Sequence, residues 1–177
     1  MTVQIGAKPD AGFDDPIGML HDCHRRIERF LSVLQQVAAR AAGRTLTPEE
    51  RSSVEAALHY FRTGGLRHTA DEEESLFPRL HNTGAALALA ELDRLEHDHS
   101  RAQELHDVAD ALFTRWLTQG QLPAEDAERL TLANRELAAL YAAHIAVEET
   151  TIFPQAAVAL DKPAIAAIGE EFRRRRA

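Results

Sequence analysis

Three features of this chain predict an all-α fold, an up-down-up-down four-helix bundle with a short C-terminal helix. Alanine, leucine, glutamate and arginine dominate while aromatic residues make up only 6%, a composition suited to helices. Apolar residues recur at helical spacing over four long stretches. Proline and glycine fall mostly between those stretches, where they mark turns. At 177 residues the chain can bury one good core, so a single domain over 1–177 is expected, its bundle spanning about 14–160.

Helix one is predicted from Asp14, as N-cap, to Ala42, with Gly43 ending it. Its buried stripe is Ile17, Leu20, Ile27, Leu31, Leu34 and Ala38, and His24 falls on that stripe. Thr47, Pro48 and Glu50 form an N-cap, a first-turn proline and an acidic first turn. They open helix two, which runs through Val54, Leu58, Phe61, His68 and Glu72 to about Leu80, with an interruption at Gly64 and Gly65. Asn82 to Gly84 reads as a turn. Helix three carries Leu92, Leu95, Ala102, Ala109, Phe113 and Trp116, and Gln119 to Pro123 is the next turn. Helix four is predicted from Ala124 to Leu160. Asp161 and Pro163 start a short last helix ending in Arg173 to Arg176, expected to be a solvated tail at the negative end of its dipole. Connections this short between long helices favour antiparallel neighbours.

The net charge of −8 argues against general nucleic-acid binding, which needs a basic face to displace counterions from phosphate. No stretch approaches the ~20 apolar residues of a membrane span, and Met1 to Phe13 lacks the basic start and apolar run of a signal peptide. A cytoplasmic protein without membrane attachment is expected. Cys23 is the only cysteine, which excludes an internal disulfide and a cysteine-based zinc or iron–sulfur site within one chain. Cys23 is expected to pack as a free thiol. Any metal must rest on His, Asp and Glu, and nine histidines supply that chemistry.

The chain repeats itself. His68-Thr-Ala-Asp-Glu72-Glu-Glu-Ser-Leu-Phe77-Pro78 on helix two is echoed 76 positions later by His144-Ile-Ala-Val-Glu148-Glu-Thr-Thr-Ile-Phe153-Pro154 on helix four. His24 on helix one is matched 75 positions later by His99 on helix three. Each helical hairpin thus contributes one histidine and one histidine–glutamate pair. His-x-x-x-Glu places its side chains about 40° apart on the wheel and about one turn apart in rise, so both aim at one spot. That spot faces the core, because His68 and Glu72 continue the Val54, Leu58, Phe61 stripe while His144 and Glu148 continue Leu130, Leu137 and Tyr141. A charged glutamate there costs several kcal/mol unless paired or metal-bound. One such pair alone is common on a helix surface. Its duplication on two inward faces, opposite two matching histidines, points to metal. The set is His24, His68, Glu72, His99, His144 and Glu148, whose donors suit iron, manganese or zinc better than calcium or copper(I).

With these motifs in view, the chain resembles the hemerythrin-like, HHE cation-binding family from about Asp14 to Leu160. Asp15-Pro16-Ile17 followed by Leu20, His24 and Ile27 looks like the family's first helix, and the two His-x-x-x-Glu-Glu segments ending in Phe-Pro look like its second and fourth. The resemblance implies two non-haem iron ions bridged by Glu72 and Glu148, with an open position for dioxygen, nitric oxide or peroxide. The chain departs from the animal oxygen carriers of that family, which have a fifth histidine where Gln103 stands. They also use an aspartate five residues after the last histidine, whereas Glu148 lies four after His144. Iron–sulfur repair members carry an N-terminal cysteine segment, and no such cysteine is present.

Other residues leave alternatives. His21 and His97 rival His24 and His99, and helical periodicity favours the latter pair. Glu28, one turn after His24, is a ligand, a hydrogen-bond acceptor for an imidazole, or solvent-facing. Tyr141 and His106 lie on inward stripes near the ligands. Glu73, Glu74 and Glu149 are about 100° or more off the ligand stripe, so a solvated or salt-bridged rim is expected. His59 and His81 are expected to take no part. The sequence therefore predicts a metal-binding protein that binds or responds to a small diatomic ligand or peroxide. The alternative is a di-iron oxidoreductase that disproportionates hydrogen peroxide. A ferritin-like store is disfavoured by the order of His and Glu in the motif.

Overall fold

The computed structural model describes residues 10–84 and 86–177, so residues 1–9, the start of the segment considered above for a leader, lie outside it. The described residues form five helices and no strand. Helix α1 is Pro16–Ala41, and its N-cap is Asp15, one residue beyond the expected Asp14. The Asp15 carboxylate accepts the Gly18 N–H at 2.9 Å. Ala42 ends the helix in the left-handed conformation at φ 46°, with Gly43 beside it at φ 82°. Helix α2 covers residues 48–83, opened by the Thr47–Glu50 capping box. Helix α3 is Ala86–Gln119, α4 covers residues 124–159, and α5 is Lys162–Arg174, capped by Asp161.

Gly64 and Gly65 do not interrupt α2. Phe61–Gly65 forms a widened π turn inside a continuous helix, and α2 runs on past His81 to Thr83. Two further π turns, Glu72–Leu76 and Glu148–Ile152, begin at the motif glutamates. The Phe77 N–H donates to the Glu72 carbonyl and the Phe153 N–H to the Glu148 carbonyl, each spanning five residues. The cause is the proline that follows each phenylalanine. Pro78 and Pro154 lack an N–H, and their rings would clash with the carbonyl four residues back in a regular helix. Widening the turn relieves that clash without breaking the helix.

The core divides into two apolar clusters. One is centred on Leu34, Leu58, Phe113, Trp116 and Leu137, the other on Leu20, Phe77, Leu95, Phe153 and Phe172. Every long helix crosses from one cluster to the other at its predicted ligand: Leu20 to Ile27 around His24, Leu58 to Leu76 around His68 and Glu72, Leu95 to Ala102 around His99, and Leu137 to Ile152 around His144 and Glu148. A polar layer therefore lies between two apolar ones. None of the helices is long and apolar enough to cross a membrane.

Helix α5 is not trailed by a solvated tail. Ile168 and Phe172 are fully buried against Leu20 and Phe77. Gly169 admits the Phe13 carbonyl so closely that a Cβ would sit 1.9 Å from it. Arg173 and Arg174 are exposed, but Arg175 and Arg176 fold back onto Asp71, which has no exposure. Arg175 Nη1 donates to Asp71 Oδ1 at 2.9 Å and its Nη2 to Ser75 Oγ at 2.8 Å, while Arg176 Nη2 reaches Asp71 Oδ2 at 2.5 Å. Arg175 also pairs with Glu74 at 3.0 Å, and Arg79 grips Glu171 with both nitrogens. The reason is electrostatic: a carboxylate buried beside Glu72 needs cations, and the arginines supply them. Replacing Arg176 by Ala should lower stability by roughly 1–3 kcal/mol, since Asp71 stays buried with one partner lost. Arg174→Ala should change it by less than about 0.5 kcal/mol. Urea unfolding of both variants checks this, and equal losses would contradict it.

Candidate metal centre

The six predicted ligands converge. His24, His68, Glu72, His144 and Glu148 are all at most 3% exposed, and His99 is 8% exposed. Their ligand atoms form two groups, each within 4.8 Å: His24, His68, Glu72 and Glu148 in one, and Glu72, His99, His144 and Glu148 in the other. The two glutamates belong to both. Glu72 turns Oε1 toward His24 Nε2 (3.9 Å) and His68 Nε2 (3.5 Å), and Oε2 toward His99 Nε2 (3.3 Å). Glu148 turns Oε2 toward His24 Nε2 (3.1 Å) and Oε1 toward His144 Nε2 (3.2 Å).

These contacts are close but lack hydrogen-bond direction. Both oxygens of Glu72 and of Glu148, and Nε2 of His24, His99 and His144, are buried without a hydrogen-bond partner. So many orphaned donors and acceptors at one point are costly unless a cation satisfies them. Their spacing fits one. Bonds of about 2.1 Å meeting at ordinary coordination angles put neighbouring ligand atoms about 3.0–3.4 Å apart. Nitrogen and carboxylate donors in this mixture accept a first-row transition ion or zinc.

The rim glutamates are ion-paired, Glu74 with Arg175 and the other two with ligand histidines. Glu149 Oε1 lies 2.9 Å from His24 Nδ1, and Glu73 Oε1 lies 2.8 Å from His99 Nδ1. An imidazole is long enough to span from the centre, through Nε2, to the rim, through Nδ1. A carboxylate 100° off the ligand stripe therefore meets the ring's outer nitrogen. Such acceptors fix tautomer and ring orientation. Asp98 Oδ2 lies 3.5 Å from His144 Nδ1 without making a hydrogen bond, and both this nitrogen and His68 Nδ1 are buried without a hydrogen-bond partner. The motif phenylalanines cover the outer rings: Phe153 stacks on His24 with centroids 5.4 Å apart, and Phe77 on His99 at 6.2 Å.

The remaining candidates separate cleanly. His21 is partly exposed and reaches only Glu149, at 3.0 Å, forming with His24 a lesser cluster at the edge. His97 and His59 are exposed, and His81 lies in the last turn of α2, away from the two buried groups. Glu28 is exposed, which removes it as a ligand. Cys23 is buried and free, its thiol pushed up by burial, and it belongs to neither group. Tyr141 and His106 are linked by 3.1 Å between the hydroxyl and Nε2.

Residues 15–156 match the hemerythrin HHE cation-binding domain. The chain belongs to that family. It is also 31% identical, over 102 residues, to an uncharacterized protein of Haemophilus influenzae, a stretch that covers 58% of this chain and 57% of that relative. The chain thus matches little more than half the length of that relative.

Protons stand in for metal in this hemerythrin-like cluster. Burial works against charge on His24, but Glu148 and Glu72 outweigh it and push the imidazole up to about 10. His99 is likewise opposed by burial and raised to about 10 by Glu72 and Glu73. Burial lowers His68, and Glu72 is held well below the usual carboxylate range because its histidine neighbours overcome its burial. Histidines raised from 6.5 contribute stability that is complete below pH 6.5 and lost as pH climbs through about 10. The melting temperature of metal-free protein should therefore fall across that window, widening its gap below the loaded protein. Metal binding at pH 7 should release about two protons per chain. An indicator dye in weakly buffered protein measures this, and uptake of metal without proton release would contradict it.

Proposed function

We propose that this chain is a non-haem di-iron protein that binds or responds to dioxygen, nitric oxide or peroxide. The observation that carries the reading is the sharing of Glu72 and Glu148 between two histidine pairs. His24 and His68 would hold one ion, His99 and His144 the other, and the two glutamates would bridge. Four helices in up-down-up-down order suit this role, since each brings its ligand to one level between two apolar layers. Bound iron supplies a redox-active, Lewis-acidic position for a small ligand. Glu73 and Glu149 orient their histidines, and Phe77 and Phe153 keep water from the rings.

A second reading, disproportionation of two hydrogen peroxide molecules to dioxygen and two waters, draws on one further observation. The Tyr141 hydroxyl, kept protonated by burial, contacts His106, whose imidazole burial pushes down to about 4 and so leaves neutral. Such a pair can take up a proton and return it during turnover.

Protein expressed with ample iron should hold about two iron ions per chain. Elemental analysis should find at least one lost in His68→Ala and in His144→Ala, and none lost in His59→Ala, His81→Ala or Glu28→Gln. Visible absorption of the reduced protein should change on adding dioxygen or peroxide. Tyr141→Phe should lower oxygen evolution from peroxide, per bound iron, with iron content unchanged. Evolution no greater than from free iron would eliminate the second reading, and a folded protein that takes up no metal would eliminate both.

A further inference from the structure

A cavity of about 210 Å³ opens beside the histidine pair of α3 and α4. Leu58, Phe61 and Ala102 contribute apolar wall, and the buried His99 with the half-buried Tyr141 and His106 form the polar inner part. Its mouth is marked by exposed Arg62, Gln103 and Asp107. The internal repeat does not extend to it. Gly65 is matched by Tyr141, 76 later, and Ala102 and His106 by Ile27 and Leu31, 75 earlier. Gly65 and Ala102 thus leave space beside the centre where their counterparts in the repeat are larger, and Tyr141 itself lines the same cavity.

The cavity's size and charge narrow its occupant. An apolar cavity of about 150 Å³ holds a benzene-sized molecule, so this one is larger than a diatomic gas requires. Arg62 is committed to Asp110, at 2.7 and 2.9 Å, and to Thr114, while Asp107 accepts from Gln103. No lining arginine or lysine is left to receive a carboxylate or phosphate, and His99 is faced by Glu72 and Glu73. The polar groups it offers beside the centre are Thr69, the Tyr141–His106 pair and His99.

We propose that this cavity binds a small neutral organic molecule with an apolar body and a terminal hydroxyl or hydroperoxyl group. The polar end seats on Tyr141 and His106, beside the His99–His144 pair. An alkyl hydroperoxide and the alcohol it yields are the natural occupants. In that reduction the O–O bond breaks, and two protons and two electrons give alcohol and water. The electrons come from two ferrous ions, each becoming ferric, so the hydroperoxide arm rests on the di-iron reading above while the alcohol arm does not.

Two measurements separate the arms. Cyclohexanol added to the protein should produce saturable NMR shifts at the Ala102 methyl and the Tyr141 ring. Gly65→Leu should weaken that binding at least tenfold. A Cβ at Gly65 meets only Phe61 Cδ1 at 3.5 Å and Tyr60 O at 3.9 Å, so the variant can fold. Gly65→Ile provides a second filling of different shape. Absence of saturable shifts, or binding unchanged by both fillings, would overturn the proposal. Mixing reduced, iron-loaded protein with tert-butyl hydroperoxide or hydrogen peroxide tests the second arm. Filling should slow oxidation by the bulky peroxide at least tenfold more than by hydrogen peroxide, and equal slowing would overturn the hydroperoxide assignment. Alcohol binding in a protein that takes up no iron would uphold the cavity site and refute the di-iron reading.

Discussion

Glu72 and Glu148 bring two carboxylates, with no exposure to water, into the layer between two apolar clusters. Two unpaired charges at that depth would cost more than a domain's whole net stability of about 5–15 kcal/mol. Much of the surrounding structure answers that demand. Four helices bring a histidine each to the carboxylates, and the imidazoles supply protons when metal is not there to supply charge. Arg175 and Arg176, just past the C-terminal helix, neutralise Asp71, the residue before Glu72, so that the same segment does not carry a second uncompensated anion.

The repeat makes the centre nearly symmetric, and the departures from symmetry are where the two halves acquire different tasks. Glu73 and Glu149 mirror one another, as do Phe77 and Phe153. Asp71, however, is matched by Val147, and Arg79 by Gln155, so the ion pairs that tie the first motif to the C-terminal segment have no counterpart at those positions of the second. Gly65 is matched by Tyr141 and Ala102 by Ile27, and the cavity opens beside the two small residues. Rigidity on the first motif and access beside His99 are thus built on one scaffold by a few substitutions.

Much of the helical fold and the convergence of the six residues was legible in the sequence because both rest on periodicity. A stripe such as Leu20, Ile27, Leu31, Leu34 has one way to be buried, and His24 lies on it. The misses lie where periodicity is silent. Glu73 and Glu149 sit off the stripe by angle, yet the far nitrogen of a histidine on the next helix comes to meet them. Gly64 and Gly65 read as breaks, but the chain absorbs them in a π turn whose bonds leave no trace in composition. The fate of the arginine run is not written in its own periodicity because its partner, Asp71, lies on α2, and only tertiary packing brings the two together. The Phe-Pro pairs were a signal that could have predicted widened turns, since proline inside a helix must be accommodated somewhere.

The central claim is that two metal ions lie side by side, joined by Glu72 and Glu148. Diffraction from iron-loaded crystals, collected on either side of the iron absorption edge, tests it most directly. The account predicts two anomalous peaks within one molecule, one among His24, His68, Glu72 and Glu148 and the other among His99, His144 and the same two glutamates. A folded molecule with a single peak, with no peak, or with its iron at the His21–Glu149 edge would contradict it.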